Sequence, residues 1–338
     1  MKLTLQIAAW TLLALTPSGP CFEKMMATND AGAEAQRLLQ QAEELTNIRS
    51  SGSHSFGLVA CVQFYVGKDL AAEGTYKLAW ESPTVWRDEI KFEDYSQVRV
   101  AVVDKLFISR NPPTLPFEIF RLLELLNFPQ VLHPTLNAKP GKVKEKTRNG
   151  SRERTVEIGS WIVSLDKSSP IPTRVEYEDF HFGYQFEDYV SFDGHQFPRT
   201  LTEFASNRPL VQVQVQELAK ATFDASSFTP PKDASVVRWC PHPEPARLEV
   251  RAKLDPMPSQ LRDVAQQHAV AIYGIIGTDG RWHNLAPVKS AGKEIDSYWM
   301  NQQLQERYSP AKCGGVPVEQ ESVKEHHYQM LEGVIVPH

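Results

Sequence analysis

Hydrophobic and polar residues alternate along most of the chain, which is the pattern of β-strands with one buried face. The clearest run is Val211-Gln-Val-Gln-Val215, in which every second residue is apolar. Similar runs recur between residues 55 and 218, and Asn149-Gly150 and Asp193-Gly194 separate some of them. Glycine accepts the positive φ that tight turns require. The pattern therefore predicts many antiparallel strands joined by short turns.

Two segments depart from this alternation and are predicted to be helical. Asn29 to Asn47 is rich in Ala, Leu, Gln and Glu, and its apolar residues form a single stripe. Leu115 to Phe128 has apolar residues nearly all round a short helix, so we expect it to be buried on most sides. We predict one curved sheet whose concave face is covered by the second helix.

The C-terminal part shows a different order of elements. Val270 to Ile276 is an apolar strand, Asp279-Gly280 is a hairpin turn, and Asn284 to Val288 is the returning strand. Lys293 to Tyr308 has the spacing of a helix with one buried stripe, and Gly314 to Val318 is a final strand. The prediction is a ββαβ unit. One edge of so small a sheet is open to pairing with another chain.

This C-terminal part resembles the C-terminal domain of TonB-type proteins. The residues that carry the resemblance are Gly277-Thr-Asp-Gly280 and Tyr308-Ser-Pro-Ala-Lys-Cys-Gly-Gly-Val-Pro-Val318. It implies a domain over residues 246–338 that recruits an extended peptide from a partner protein by strand addition. Val316 and Val318 would then lie on the partner-binding strand.

The preceding part resembles the LolA/LolB-like fold of outer-membrane lipoprotein carriers. The resemblance rests on three runs: Glu73-Gly-Thr-Tyr-Lys-Leu-Ala-Trp80, Ser82-Pro-Thr-Val-Trp-Arg87 and Phe180-His-Phe-Gly-Tyr-Gln-Phe186. It implies a half-barrel over residues 29–228 that holds acyl chains between sheet and helices. The candidate ligand-binding residues are then Trp80, Trp86, Phe120, Phe128 and Tyr177. The alternative is that these five side chains are ordinary core.

The predicted fold class is therefore α+β: an N-terminal helix plus a large curved antiparallel sheet, the LolA-like half-barrel, followed by a small ββαβ TonB C-terminal-like domain. Residues 229–245 are rich in proline and turn residues and are predicted to be the linker. Cys240 in this linker and Cys313 before the final strand could form a disulfide that fastens the linker to the small domain. The alternative is two unpaired structural thiols.

Composition narrows the class of protein. The chain has 338 residues, of which 41% are hydrophobic and 10% aromatic, so most of it is expected to be packed. The net charge is −5, and no Lys/Arg block is dense enough to bind a phosphate backbone. Nucleic acid is therefore excluded as a predicted partner.

The N-terminus has the features of an export signal. Lys2 precedes an apolar run from Leu3 to Leu15, and Thr16-Pro-Ser-Gly-Pro20 interrupts it. We predict a signal peptide over residues 1–22. Plain secretion, lipid anchoring at Cys21 and an uncleaved anchor remain open. All three place the rest of the protein in the periplasm or outer envelope, and four cysteines fit an oxidising compartment.

No sequence motif indicates catalysis. The chain contains no Gly-x-Ser-x-Gly, phosphate-binding loop, dinucleotide-binding glycine pattern or His-Glu-x-x-His zinc motif. No cofactor or metal is predicted. The first hypothesis is a non-catalytic cell-envelope protein whose TonB-like module recruits an envelope protein or receptor peptide, while the LolA-like domain cradles an apolar ligand. The alternative is a periplasmic lipid or lipoprotein carrier whose C-terminal domain is only structural. A third hypothesis is a hydrolase built on the sheet.

Overall fold

The computed structural model describes residues 20–50, 52–129, 132, 140–148, 150–177, 182–241, 243–253, 257–258, 261, 269–326, 328–331 and 334–337. The predicted signal peptide, residues 1–22, lies almost wholly outside these ranges, and so does the side chain of Cys21. Within the described ranges, none of the helices combines the length and the hydropathy that a membrane crossing requires.

Thirteen strands form one large antiparallel sheet. They are β1 (Phe56–Val66), β2 (Asp69–Ser82), β3 (Val85–Lys91), β4 (Ser96–Val102), β5 (Lys105–Asn111), β6 (Pro140–Arg148), β7 (Ser151–Ile158), β8 (Trp161–Asp166), β9 (Pro172–Tyr177), β10 (Phe182–Phe192), β11 (His195–Ala205), β12 (Arg208–Lys220) and β13 (Ser235–Arg238). Their order is β13-β5-β4-β3-β2-β1-β12-β11-β10-β9-β8-β7-β6. The large antiparallel sheet predicted from the alternation is confirmed.

The connections explain this order. Successive strands pair as hairpins from β1 to β5 and from β6 to β12, and the two series join where β1 pairs with β12, with Val62 opposite Val213. At the β10–β11 turn, Asp193 and Gly194 have φ of 50° and 83°. In β1 every second residue is buried, from Phe56 onward. One face of the sheet is therefore the core face, as strand alternation requires.

Two helices cover this core face, which we call the inner face. Helix α1 (Pro20–Thr46) packs on β6 and β11, and α2 (Phe117–Leu126) packs on β11 and β12. Helix α2 begins after Pro116, whose fixed φ suits a helix start. Its buried residues are Phe117, Ile119, Leu122, Leu125 and Leu126. All of these except Phe117 belong to the same apolar cluster as the inward side chains of the large sheet.

The described residues of the C-terminal segment, 246–337, include smaller sheets and a helix. Its elements are β14 (Arg247–Val250), β15 (Val270–Ile276), β16 (Trp282–Lys289), α3 (Lys293–Gln303), β17 (Arg307–Ser309), β18 (Ala311–Cys313), β19 (Val316–Val318), β20 (Gln320–His326), β21 (Tyr328–Leu331) and β22 (Val334–Pro337). Strands β16, β15 and β20 form a sheet in that order, and β14–β17, β18–β19 and β21–β22 form pairs.

The predicted α+β class with a terminal ββαβ domain is wrong, because the described residues are mostly strand. The run Gly314 to Val318 does not join the β15–β16 hairpin. Gly314 and Gly315 have φ of 57° and 80°, so the chain reverses there and β19 pairs with β18. Strand β20 lies beside β15 instead. Helix α3 ends at Gln303, before the predicted end at Tyr308.

The residues predicted to be a linker contribute β13, which pairs with β5 at one end of the large sheet. Behind it, the Trp239 ring meets the Trp86 ring edge-on at 5.0 Å, and Trp239 Nε1 donates to the Pro83 carbonyl at 2.9 Å. The Cys240–Cys313 disulfide then connects this region to β18, with the two Cα atoms 5.8 Å apart. The bridge left open by the sequence is confirmed, and it fastens the C-terminal segment to the large sheet.

The three-stranded sheet lies between α3 and the large sheet. On one face, Trp299 of α3 stacks on His326 at 4.2 Å between ring centroids. On the other face, Tyr273 packs against the core of the large sheet. Strand pairing places Ala271 opposite Glu325 and Ile275 opposite Glu321. Because paired residues share a face, both glutamates face the same way as Tyr273, towards α2 and β5.

Candidate functional site at the seam under the C-terminal segment

Two of the predicted ligand-binding residues lie deep in the apolar core. Trp80 is 2% exposed and stacks on Phe56 with ring centroids 5.3 Å apart. Phe128, also 2% exposed, lies 4.7 Å from the Phe186 ring and 6.0 Å from the Phe197 ring. Neighbouring aromatic rings therefore pack against both side chains. Their role as ligand contacts stays a prediction.

Of the other three predicted residues, Trp86 and Tyr177 lie on the large sheet and Phe120 lies on α2. Trp86 is buried and has the Arg99 guanidinium 5.4 Å from its ring centroid. Phe120 is half-buried against the same core. Tyr177 lies on β9 and meets Trp161 edge-on at 5.4 Å. The structure therefore places Trp80, Trp86, Phe120 and Phe128 on one core, and Tyr177 apart from them.

The predicted partner-binding residues lie on β19. Val318 is buried, whereas Val316 is 47% exposed. Both pair with β18, Val318 with Ala311 and Val316 with Cys313. One side of this short strand is therefore already hydrogen-bonded within the chain, and a partner-binding role for the two valines stays a prediction.

A group of charged side chains that the sequence analysis did not single out lies where the inner face, α2 and β20 meet. We call it the charged seam, and it consists of Arg99, Arg110, Arg121, Glu124, Glu203, Glu321 and Glu325. Charged groups at such depth are costly unless they are paired, and they cluster at functional sites. The charged seam is therefore the candidate site.

At one end of the charged seam, Arg110 of β5 binds both carboxylate oxygens of Glu321 of β20. Arg110 Nη1 and Nη2 donate to Glu321 Oε1 and Oε2 at 2.9 and 2.8 Å. Tyr273 OH donates to Glu321 Oε1 at 2.8 Å. Burial alone would raise the pKa of Glu321, but the hydrogen bonds and charge of Arg110 outweigh it and lower the pKa. The carboxylate is therefore held in its charged form.

Arg110 has further support within the large sheet. Its Nε donates to Gln97 Oε1 at 2.7 Å, and the same oxygen accepts from Tyr95 OH at 3.1 Å. Gln97 is opposite Arg110 in the β4–β5 pairing. Burial raises the pKa of Tyr95 to about 12, so its hydroxyl stays a donor at neutral pH. These contacts orient the guanidinium from the side remote from Glu321.

Next to this pair lies a buried ion pair that belongs wholly to the large sheet. Arg99 Nε lies 3.0 and 3.2 Å from the two carboxylate oxygens of Asp88, and the two residues are opposite each other in β3 and β4. Asp88 is 1% exposed. Burial and the Asp88 charge raise the pKa of Tyr76 to about 12. Arg99 is thus neutralised by its own neighbour.

At the other end of the charged seam, Arg121 of α2 lies among carboxylates. Its Nε is 3.3 Å from Glu203 Oε1, and its Nη2 is 3.8 Å from Glu325 Oε2. Glu203 is 1% exposed, and neither of its carboxylate oxygens has a hydrogen-bond partner among the described residues. Lys289 Nζ binds Glu325 at 2.9 Å. One arginine therefore faces more than one carboxylate.

The environment of Glu203 has a clear electrostatic consequence. Burial raises the pKa of Glu203 to about 7, against the opposing attraction of Arg121, and the nearby charges of Glu124 and Glu325 add to the rise. A carboxyl group that is partly protonated at neutral pH can change the strength of the α2 contact as the pH changes.

The charged seam joins the C-terminal segment to the large sheet and to α2 through ion pairs of Glu321 with Arg110 and of Glu325 with Arg121. In the described ranges, no cluster of three or more His, Cys, Asp or Glu residues could hold a metal ion. One local sequence signal could have indicated the charged seam. In Leu106, Ile108 and Arg110, a charged residue takes the position of the next buried residue in a strand that alternates.

Comparison with known proteins gives likenesses only among solved structures. The structure is similar to a LolA superfamily protein from Nitrosomonas europaea, with 11% identity and a TM-score of 0.38 over 58% of this chain and 97% of that chain. It is similar to a putative outer membrane lipoprotein-sorting protein domain from Vibrio parahaemolyticus, with 10% identity and a TM-score of 0.39 over 58% and 97%.

A third similar structure is the MucA/MucB complex of Pseudomonas aeruginosa, with 14% identity and a TM-score of 0.29 over 68% of this chain and 72% of that chain. None of these three is a TonB-type protein. No protein-family model matches the sequence. No curated protein matches it either.

Proposed function

We propose that the chain is an exported, non-catalytic carrier of apolar ligands, in which the C-terminal segment is a structural cap. The observation that carries this proposal is the position of α2. The helix is apolar on most sides and lies between the inner face of the large sheet and the capping segment. Displacing it would uncover a surface that is apolar apart from Glu203. An acyl chain is the ligand class that suits such a surface.

Burial of the α2 side chains and burial of a long acyl chain contribute comparable free energies. The five buried side chains of α2 contribute roughly 8–15 kcal/mol, at about 1.5–3 kcal/mol each. A palmitoyl chain has about 14 methylene groups, which contribute about 11 kcal/mol at about 0.8 kcal/mol each. A long acyl chain can therefore replace α2 on the inner face, whereas a short one cannot.

The seat of α2 also contains a destabilising group. Glu203 lies on the inner face opposite Val211 and Tyr184, and the Arg121 guanidinium approaches it without forming a hydrogen bond. A buried carboxylate that lacks hydrogen bonds weakens the packing around it. This favours a helix that is seated in the absence of ligand and can be displaced.

The proposed location in the cell is inferred from the disulfide and from the N-terminal segment. The Cys240–Cys313 disulfide is typical of proteins outside the cytoplasm. The apolar run from Leu3 to Leu15 has the form of an export signal. Together they favour the periplasm or outer envelope, where lipids and envelope proteins are the available partners.

Strand addition is not included in this proposal. The predicted final strand, β19, pairs with β18, and β20 of the same chain occupies the side of β15 opposite β16. The ββαβ unit that the recruiting role assumed is therefore absent from the described part of the C-terminal segment. Recruitment of an envelope protein or receptor peptide stays a prediction of the sequence.

Hydrogen exchange measured by mass spectrometry tests the role of α2. Saturation of the full chain with hexadecanol is expected to speed exchange in Phe117–Leu126, while β1, β11 and β12 stay protected. Butanol is the matched control, because it is too short to replace the helix. Binding of hexadecanol without faster exchange in α2, or no binding at all, would contradict the proposal.

A further inference from the structure

Arg110 is oriented by the large sheet alone. The contacts with Gln97 and Tyr95 described above come from β4 and from the residue before it, and these two side chains are 1% and 5% exposed. Neither contact involves the C-terminal segment. The two outward nitrogens of the guanidinium would therefore keep their direction if β20 moved away, and this geometry suits a planar carboxylate.

Arg110 also lies at the end of an apolar row. Leu106, Ile108 and Arg110 are every second residue of β5 and so lie on one face, and the first two belong to the same apolar cluster as Ile119, Leu122, Leu125 and Leu126 of α2. An apolar surface that ends in a fixed cation matches a ligand with a long hydrocarbon chain and a carboxylate head. This match goes beyond a general affinity for acyl chains.

In this structure the Arg110 guanidinium is occupied by a residue of the C-terminal segment. Glu321 reaches Arg110 from β20, and its side chain remains 37% exposed, whereas that of Arg110 is 10% exposed. Solvent therefore reaches the carboxylate, and the cation lies behind it. A competing carboxylate can approach from the same side that Glu321 occupies.

The other two arginines of the charged seam are less suitable. Arg99 is neutralised by Asp88 within the large sheet. Arg121 lies on α2 itself and would move with the helix, and it already faces Glu203. Arg110 is held by the large sheet, and its carboxylate partner, Glu321, comes from the C-terminal segment.

We propose that Arg110, supported by Gln97 and Tyr95, is a binding site for the carboxylate head of a long-chain carboxylate, and that Glu321 is a tethered competitor that occupies it in the closed chain. The inference rests on the proposed carrier function and names its ligand class. The hydrocarbon chain would take the place of α2 on the inner face. The head would take the place of Glu321.

Titration of the full chain with palmitate and with hexadecanol tests this site, because the two differ mainly in the head group. The Arg110→Gln variant is expected to lower palmitate affinity by about 10- to 100-fold, as loss of a charge-assisted pair implies. It should not lower hexadecanol affinity, since that ligand makes no ion pair. Arg208→Gln, at an exposed arginine on β12, is the matched control.

The Glu321→Gln variant tests the competitor. It removes the negative charge of the occupant, so palmitate affinity should rise by roughly tenfold relative to hexadecanol affinity. Glu319→Gln, at an exposed residue next to β20, makes the same change in net charge and should have no effect. Arg110→Lys keeps the charge without the planar fork and should give an intermediate affinity, so the test does not depend on one variant folding.

The outcomes separate the two proposals. If hexadecanol binds and palmitate responds to Arg110→Gln no more than hexadecanol does, the carboxylate site is overturned and the carrier function stands. If neither ligand binds, the carrier function fails and the carboxylate site fails with it. Palmitate binding that depends selectively on Arg110 and increases with Glu321→Gln supports both.

Discussion

Replacing Glu203 by glutamine should reduce the pH dependence of stability, to which Glu124 also contributes because burial raises its pKa to about 7. The folded-state pKa of Glu203 is about 7, above its ordinary value of 4.5, because the carboxyl group is buried. The folded state therefore holds a proton that the unfolded state has lost between these two pH values. The stability that Glu203 contributes is therefore fully present below about pH 4.5 and is lost as the pH rises through about 7.

The size of the effect follows from the shift. A difference of one unit in pKa corresponds to about 1.36 kcal/mol, so the shift from 4.5 to about 7 corresponds to roughly 3 kcal/mol. The groups that face Glu203 are Arg121 and Glu124 of α2, Tyr184 of β10 and Glu325 of β20. The attraction of Arg121 opposes the rise, and the carboxylates add to it. Burial is the larger cause.

The assay is urea unfolding followed by tryptophan fluorescence at about pH 5 and about pH 8, a range that spans most of the titration. Wild type should lose roughly 3 kcal/mol more than Glu203→Gln between these two pH values. Glu217→Gln, at an exposed residue of β12, is the matched control and should behave as wild type. Parallel pH dependences in wild type and Glu203→Gln would refute the reasoning.

Three further predictions concern stability and are checked by urea unfolding at fixed pH. Leu122→Ala should lower the free energy of unfolding by about 2–5 kcal/mol, because this side chain of α2 is fully buried; a smaller loss would contradict close packing at this position. Replacing Cys240 and Cys313 by serine should cost about 4 kcal/mol, since the bridge closes a separation of 73 residues, and reducing agent should then have no further effect. Gly280→Ala should cost about 1–3 kcal/mol, because φ is 72° and an added Cβ would lie 2.0 Å from the Tyr308 carbonyl oxygen; wild-type stability would contradict this conflict.

The large sheet was predictable because its signals are local. Each strand of a meander pairs with its sequence neighbour, so alternation such as that of Val211 to Val215 and a turn such as Asp193-Gly194 suffice to predict it. The same logic failed at Gly314 to Val318. The residues after Gly314-Gly315 have the pattern of a strand, but the sequence alone does not say which strand they pair with. In the structure they pair with the strand that precedes them, β18.

The charged seam was not predictable, because its contacts are not local. Arg110 and Glu321 are 211 residues apart, and no sequence pattern links them. Glu203 follows Leu201 in phase on β11, which was the available sign that a charge points inward. The Cys240–Cys313 pair was easier, since only two of the cysteines lay in the C-terminal part of the chain.

In the proposed carboxylate site, the Cys240–Cys313 disulfide would keep Glu321 close to Arg110 when the C-terminal segment moves. A group tethered in this way has an effective concentration of the order of millimolar. A free long-chain carboxylate would have to outcompete that effective concentration, which does not change when the protein is diluted. Fractional occupancy of the proposed site would then depend on the free concentration of the ligand.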